Sequence, residues 1–304
     1  MPYPTPHLDK LSALLENEKL PEADKARVIR SVENYKKWIA SLDAVTGSPA
    51  ERIAQLVKLL NDYRFSIDVE LIFDSEADFL YRQKGQLKLD NSVIEEFLPR
   101  LIDQQILPAL KDLTVLVGPR ASFSSLFFVS SLAMPQPGGG VSVREKNQDF
   151  AISRPLYIRT SHSPKFESSE VASTNITYVA AECKTNLDKT MFQEACATAR
   201  DTKLAVSGAK YYLLCEWLDM PPVSTAATDI DEIILLRKAK RLNSNIRNNF
   251  ATFAGRKKFR DRYIEHLRQN PFRLEMFERF ISHVESLLTD QAPEERDVLE
   301  HGFF

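Results

Sequence analysis

Ile176-Thr177-Tyr178-Val179-Ala180-Ala181-Glu182-Cys183-Lys184-Thr185 is the stretch on which the reading of the fold turns. Its β-branched and aromatic residues predict a strand. Side chains alternate across a strand, so Val179, Ala181 and Cys183 share one face, with Tyr178, Ala180, Glu182 and Lys184 on the other. A carboxylate and an ammonium therefore sit side by side at the end of an otherwise apolar element. Charges placed there are costly unless they are paired, hydrated or bound to a cation. Upstream, Gln148-Asp149-Phe150-Ala151-Ile152 sets a second carboxylate at the head of another strand-like run.

Outward from this pair of strands the pattern is regular. Downstream, Asp188 is a plausible N-cap for a helix carrying Phe192, Ala195, Cys196 and Ala199, which Gly208 would end. Apolar runs at 210–217 and 232–237 predict two more strands. Upstream, strands are expected at 113–117 and 123–132. Pro135-Gln136-Pro137-Gly138-Gly139-Gly140 then makes a break, and the polar stretch 161–175 reads as a loop in which His162, the one imidazole near the motif, reads as an ordinary loop residue rather than a proton shuttle or phosphate contact. The class is α/β, with a central mixed sheet flanked by helices.

The chain divides into an N-terminal helical region (1–112), a core (113–240) and a C-terminal helical, basic region (241–304) expected to pack on that core. Val28, Val32, Tyr35, Ile39 and Leu42 mark one N-terminal helix; a second starts near Pro49. A third, capped at Asn91-Ser92, is expected to run through Ile94, Leu98, Leu101 and Gln105, bent by Pro99 and Pro108. Between them the acidic residues Glu70, Asp74, Glu76 and Asp78 read as a solvated face, although one could help to hold a metal. Leu274, Phe277, Ile281, Val284 and Leu288 form a last amphipathic helix, and a loose tail is expected from Glu294.

Composition narrows the class without naming a function. With 43% apolar and 27% charged residues, the 304-residue chain is expected to be soluble and globular with ample core. No apolar run approaches membrane-spanning length, and the N-terminus lacks a signal-peptide core. The cysteines Cys183, Cys196 and Cys215 are odd in number and widely spaced, against structural zinc or disulfides, so a reducing cytoplasm fits. A net charge of -2 says little, but its distribution does: residues 237–262 hold ten cations against the single acid Asp261. That is the footprint of phosphate contacts. Arg256, Lys257, Lys258 and Arg260 are candidate phosphate-binding residues, and Arg247 and Asn249 are candidate base readers, because Arg and Asn match guanine and adenine edges.

A phosphodiester is anionic and repels hydroxide, so its hydrolysis needs charge neutralised and a water prepared. Mg²⁺ can do both, held by a few carboxylate oxygens and waters. Asp149 and Glu182 would supply those oxygens, with the Cys183 carbonyl as a third donor. Lys184 can orient the water or steady the charge on phosphorus. The Cys183 thiol itself reads as core. Gln193 and Glu194 read as solvent-exposed.

Asp149 followed by Glu182-Cys183-Lys184 resembles the motif of the PD-(D/E)xK nuclease superfamily, and the layout over 123–217 resembles its type II restriction endonucleases. The longer string from Glu182 to Glu194 is similar to the group that cuts interrupted CCTNAGC-type sites. Gln148 stands where the idealised motif has proline. The resemblance implies a restriction-endonuclease-like core and Mg²⁺-dependent cleavage of double-stranded DNA, with 5′-phosphate and 3′-hydroxyl ends. A palindromic target would call for a homodimer and an asymmetric one for a heterodimer. The alternatives are a repair or junction-resolving nuclease of the same superfamily, or a DNA-binding subunit active only with a partner.

Overall fold

The computed structural model describes residues 3–289, 296, 299, 300 and 302. Glu294, where the tail is expected to begin, lies outside the described residues.

Five strands form one sheet in the order β1-β2-β3-β4-β5: β1 Leu116–Phe128, β2 Val141–Thr160, β3 Glu170–Leu187, β4 Lys210–Leu218 and β5 Glu232–Lys240. The pairs β1/β2 and β2/β3 are antiparallel, and β3/β4 and β4/β5 parallel, so the sheet is mixed as expected. Before it come α1 Pro6–Leu15, α2 Glu22–Asp43, α3 Pro49–Phe65, a π-helical continuation Ser66–Phe73, α4 Phe79–Gln83 and α5 Asn91–Leu101. Between β3 and β4 lies α6 Lys189–Ala205, the crossover that a parallel pair requires. After β5 come α7 Ser244–Arg247, α8 Phe253–Lys258, α9 Arg260–Gln269 and α10 Leu274–Thr289.

The period-2 pattern of β3 separates two cores. Val179, Ala181 and Cys183 join Phe150, Tyr212 and Leu214 in a large cluster with the N-terminal helices and α10. Ala180 joins Tyr211, Leu213 and Cys215 against Ala195 and Ala199 of α6. The large cluster runs from Leu11 to Val284, so the three sequence segments share one core. α10 contributes Phe277, Phe280, Ile281 and Val284, each worth roughly 1.5–3 kcal/mol when buried.

Buried charges tie the helical region to the sheet. Arg64 of α3 bonds Glu216 of β4 (2.7 Å) and Asp68 (3.2 Å), and Arg237 of β5 reaches the other Glu216 oxygen (3.2 Å). The Arg237 guanidinium also lies on the Phe272 ring, 3.8 Å from its centroid. Removing one member would leave an uncompensated buried charge, at about 3–5 kcal/mol.

Several local expectations are corrected. The two strands predicted at 113–117 and 123–132 are one strand, β1, because bulges between Gly118 and Arg120 and between Phe123 and Ser125 absorb the irregularity. Gly118 is required there: its φ is +126°, and a Cβ would lie 2.7 Å from Pro4 Cγ. Residues 170–175 belong to β3 and not to a loop, since backbone pairing with β2 overrides their polar composition. α5 ends at Leu101, short of Gln105: Pro99 offers no N–H to its interior, and Ile102 leaves the helical region at ψ 60°. Its cap is Asp90, whose side chain accepts from the Asn91 N–H. α6 ends at Ala205, before Gly208. The acidic stretch is not a plain solvated face, because Asp74 and Asp78 pair with arginines of the C-terminal region.

Candidate active site

The β2–β3 ladder supplies the geometry. Its pairing begins at Phe150 with Ala181, so Asp149 and Glu182 stand just beyond the last paired residues. On the other side of β2, Asp149 and Phe150 together oppose the single residue Pro119, which makes a bulge. Pro119 has no N–H to lose, and the bulge re-aims the Asp149 side chain. Its Oδ2 accepts from the Cys183 N–H at 3.0 Å, a carboxylate standing where a ladder carbonyl would otherwise be. Asp149 is therefore inside β2 and not at the head of a strand. Gln148, 4% exposed, anchors the bulge by donating to Thr202 Oγ1 of α6 at 3.3 Å.

Glu182 and Lys184 share the β3 face that turns toward α6, as the alternation predicts. Lys184 Nζ lies 2.7 Å from Glu182 Oε1. Burial works against the Lys184 charge, but the hydrogen bond and charge of Glu182 outweigh it and hold the ammonium above the ordinary lysine range. The Tyr211 hydroxyl of β4 donates to Glu182 Oε2 at 2.7 Å. Burial and that carboxylate together push the phenol upward, so it stays a donor. Asp188 caps α6 through the Met191 N–H, turning the chain away just past the site.

Three further groups come from the N-terminal segment. Asn91 donates its amide to the Cys183 carbonyl (2.7 Å) and to Glu95 Oε1 (3.2 Å). Lys88 Nζ sits between Glu95 Oε1 (3.2 Å) and Asp149 Oδ1 (3.1 Å). Burial first, and the nearby Asp149 charge second, push the Glu95 carboxyl up to about 7 against the pull of Lys88. Reading the sequence missed Lys88, Glu95 and Tyr211, and gave Asn91 only a capping role. The one available signal was a charged pair, Glu95-Glu96, set inside the apolar run Val93-Ile94 to Phe97-Leu98, where each carboxylate needs a partner.

The oxygen chemistry fits a hard cation. Asp149, Glu182 and Glu95 offer carboxylates, the Cys183 carbonyl keeps a lone pair beside its bond to Asn91, and the buried Asn91 Oδ1 has no hydrogen-bond partner. Among the described residues no three His, Cys, Asp or Glu side chains are already gathered around one point. Mg²⁺ tolerates this, since it keeps several waters and needs one or two carboxylates. The Cys183 thiol is buried, and burial pushes it well above the thiol range.

The basic region is less available than its composition suggests. Arg256 is 1% exposed and donates to the carbonyls of Phe73, Phe250, Ser75 and Ala77, with Asp78 at 3.2 Å. As a DNA contact it is corrected: its guanidinium is enclosed by carbonyls of the π-helical segment and the residues around it. Arg237 is buried as well. Arg260 is bidentate to Asp74 at 2.7 Å on each arm, and Arg247 reaches Asp219 at 3.2 Å. Asn249 is exposed, with its amide turned back to the Asn245 carbonyl at 2.8 Å. Lys257 and Lys258 are exposed and without an ion pair among the described residues. His162 meets the Gln136 carbonyl at 3.2 Å in a loop, and Gln193 and Glu194 are exposed.

Comparison with known proteins adds to this geometry. The family model described as Bpu10I restriction endonuclease matches residues 86–304, a span that contains Lys88, Asn91, Glu95, Asp149, Glu182 and Lys184. A solved structure titled "native BbvCI A2B2 tetramer at low resolution" superposes with a TM-score of 0.64 at 19% identity, over 94% of this chain and 98% of that one. At that identity the likeness is one of fold. Comparison with curated proteins returns no match.

Proposed function

Because the chain belongs to the Bpu10I restriction endonuclease family and is thereby a type II restriction endonuclease, we propose that it cleaves double-stranded DNA with Mg²⁺ at a site built on Asp149, Glu182 and Lys184. Restriction endonucleases of this family generally use divalent metal ions. The observation that carries the reading is Asp149 held on the Cys183 N–H at 3.0 Å beside a Glu182–Lys184 pair at 2.7 Å.

Asp149, Glu182 and the Cys183 carbonyl would hold the metal, with Glu95 a further oxygen donor. When bound, the ion neutralises phosphate charge and acidifies a water. This chain's own residues do the rest. Lys184 keeps its proton beside Glu182 and presents a fixed cation to the phosphoryl oxygens, or holds the incoming water in line. Tyr211 holds Glu182 from behind. Attack at phosphorus breaks the bond to the 3′ oxygen, which takes a proton and leaves as a hydroxyl, and the 5′-phosphate remains on the other fragment. Exposed Lys257 and Lys258, and Arg260 or Arg247 if they exchange their carboxylate partners for phosphate, would contribute the sequence-independent attraction.

The target we propose is an interrupted site of the CCTNAGC type. Such a site differs from its own complement, so two unlike subunits suit it better than a symmetric pair. The exposed apolar residues Phe128, at the end of β1, and Val129, Leu132 and Met134, between β1 and β2, offer surface that assembly would cover. The test is to incubate the chain with a plasmid of known sequence, alone and with a second subunit, in Mg²⁺ or chelator, and to sequence the ends. Ends scattered at random, or full cutting in chelator, would overturn the reading.

A further inference from the structure

Lys88 holds a backbone conformation that its residue type disfavours. Its φ is +51°, in the left-handed region where a non-glycine residue carries strain. Such strain persists where surrounding bonds fix it, and here they do. The Lys88 N–H donates to the Gly85 carbonyl at 3.2 Å, and its own carbonyl accepts from the Ser92 hydroxyl at 2.6 Å. The turn thereby points the side chain between the Glu95 carboxylate of α5 and the Asp149 carboxylate of β2. Nζ lies 3.1 Å from Asp149 Oδ1 and 3.2 Å from Glu95 Oε1. Without a cation between them, two carboxylates in a largely buried setting would repel. The Lys88 side chain is nevertheless 44% exposed, so its ammonium has a path to water.

We propose that Lys88 is a tethered cation that occupies the position between Asp149 and Glu95 in the metal-free enzyme, preassembling the site and competing with the divalent ion for those two carboxylates. The inference rests on the reading of Asp149 as a metal ligand. Lys88 is thus a positioning residue: it holds the N-terminal helix against the β2 bulge until a metal takes over its carboxylates, and its release makes the ammonium available to solvent or to the DNA backbone. A tether of this kind keeps the two acids from repelling each other open and raises the metal concentration needed for cutting.

The test uses Ca²⁺ as the probe, in the intact chain without DNA. Calorimetric titration of Lys88→Met should show Ca²⁺ binding about ten- to a hundredfold tighter than in the unaltered protein, the worth of one charge-assisted hydrogen bond no longer displaced. Its metal-free form should unfold at lower urea, and saturating Ca²⁺ should close most of that gap. Lys88→Arg, which keeps the charge, should stay near the unaltered protein. A second measurement needs no substitution. Labelling by an amine-reactive ester, quantified at Lys88 by mass spectrometry, should rise severalfold on Ca²⁺ saturation. Asp149→Asn separates the two levels of the argument. If it binds Ca²⁺ as the unaltered protein does, the metal reading of Asp149 fails and the Lys88 proposal falls with it. If Asp149→Asn loses Ca²⁺ while Lys88→Met binds no tighter, or Lys88 labelling does not rise, the tether alone is overturned.

Discussion

Arg256 separates a structural cation from a DNA-binding one, and the two roles predict opposite phenotypes. Replacing it with Met keeps a long apolar stem but removes every donor. The carbonyls of Phe73, Phe250, Ser75 and Ala77, now bonded at 2.8 to 3.0 Å, would lose their partner, and Asp78 the nearer of its two arginines, at 3.2 Å, with Arg82 remaining at 3.5 Å. Asp78 is 32% exposed and keeps Arg82, so the cost comes from the carbonyls, at about 1–3 kcal/mol for each one left buried without a donor. Against a typical folding stability of about 5–15 kcal/mol, that is a large fraction. Urea unfolding followed by circular dichroism should therefore show a clear fall in midpoint for Arg256→Met. The paired replacement of exposed Lys257 and Lys258 by glutamine should leave the stability within about 0.5 kcal/mol. DNA binding across a salt series should reverse the order, with the lysine pair flattening the log–log slope by about 0.9 for each phosphate no longer neutralised. An Arg256→Met protein of unaltered stability and weakened DNA affinity would refute this assignment.

Asp149→Ala, Glu182→Ala and Lys184→Ala should each abolish plasmid cleavage while circular dichroism stays native; for Asp149→Ala the missing acceptor of the Cys183 N–H should cost about 1 kcal/mol, and wild-type cutting by Glu182→Ala would remove the site from β3. Ca²⁺ in place of Mg²⁺ should support binding in a gel shift but not cleavage, because its longer, looser ligation assembles without positioning water; equal cutting with Ca²⁺ would contradict this. His7 is buried with its ring nitrogens 2.9 Å from Ser92 Oγ and 2.8 Å from Tyr63 Oη, and burial lowers it from 6.5 to about 3. Its folded value lies below its unfolded one, so its contribution is complete above pH 6.5 and is lost as pH falls toward 3, roughly 2 kcal/mol by pH 5. Glu95, raised to about 7, acts in the opposite sense, losing stability as pH rises from 4.5. The measurement is accordingly a difference: His7→Gln against the unaltered protein from pH 7 to 5, with parallel curves counting against the His7 account.

What the sequence determined by itself was whatever a local period or a local charge can specify. The alternation in 176–185 set which face of β3 carries Glu182 and Lys184, because a period of two leaves no other choice. The Asp188 cap, the α6 crossover and the mixed sheet followed from the same short-range rules. Tertiary structure decided the rest, where the partners lie far apart in the chain. Asn91 meets the Cys183 carbonyl across 92 positions, and Lys88 meets Asp149 across 61, pairings that no window of periodicity contains. The C-terminal cations illustrate the same limit. Arg256 and Lys257 are neighbours of like charge in a basic run, yet one is enclosed by carbonyls about 180 residues away and the other faces water. Charge along the chain is a sum over side chains; whether a charge is free to act depends on which backbone groups the fold leaves without a donor, and that is settled only by packing.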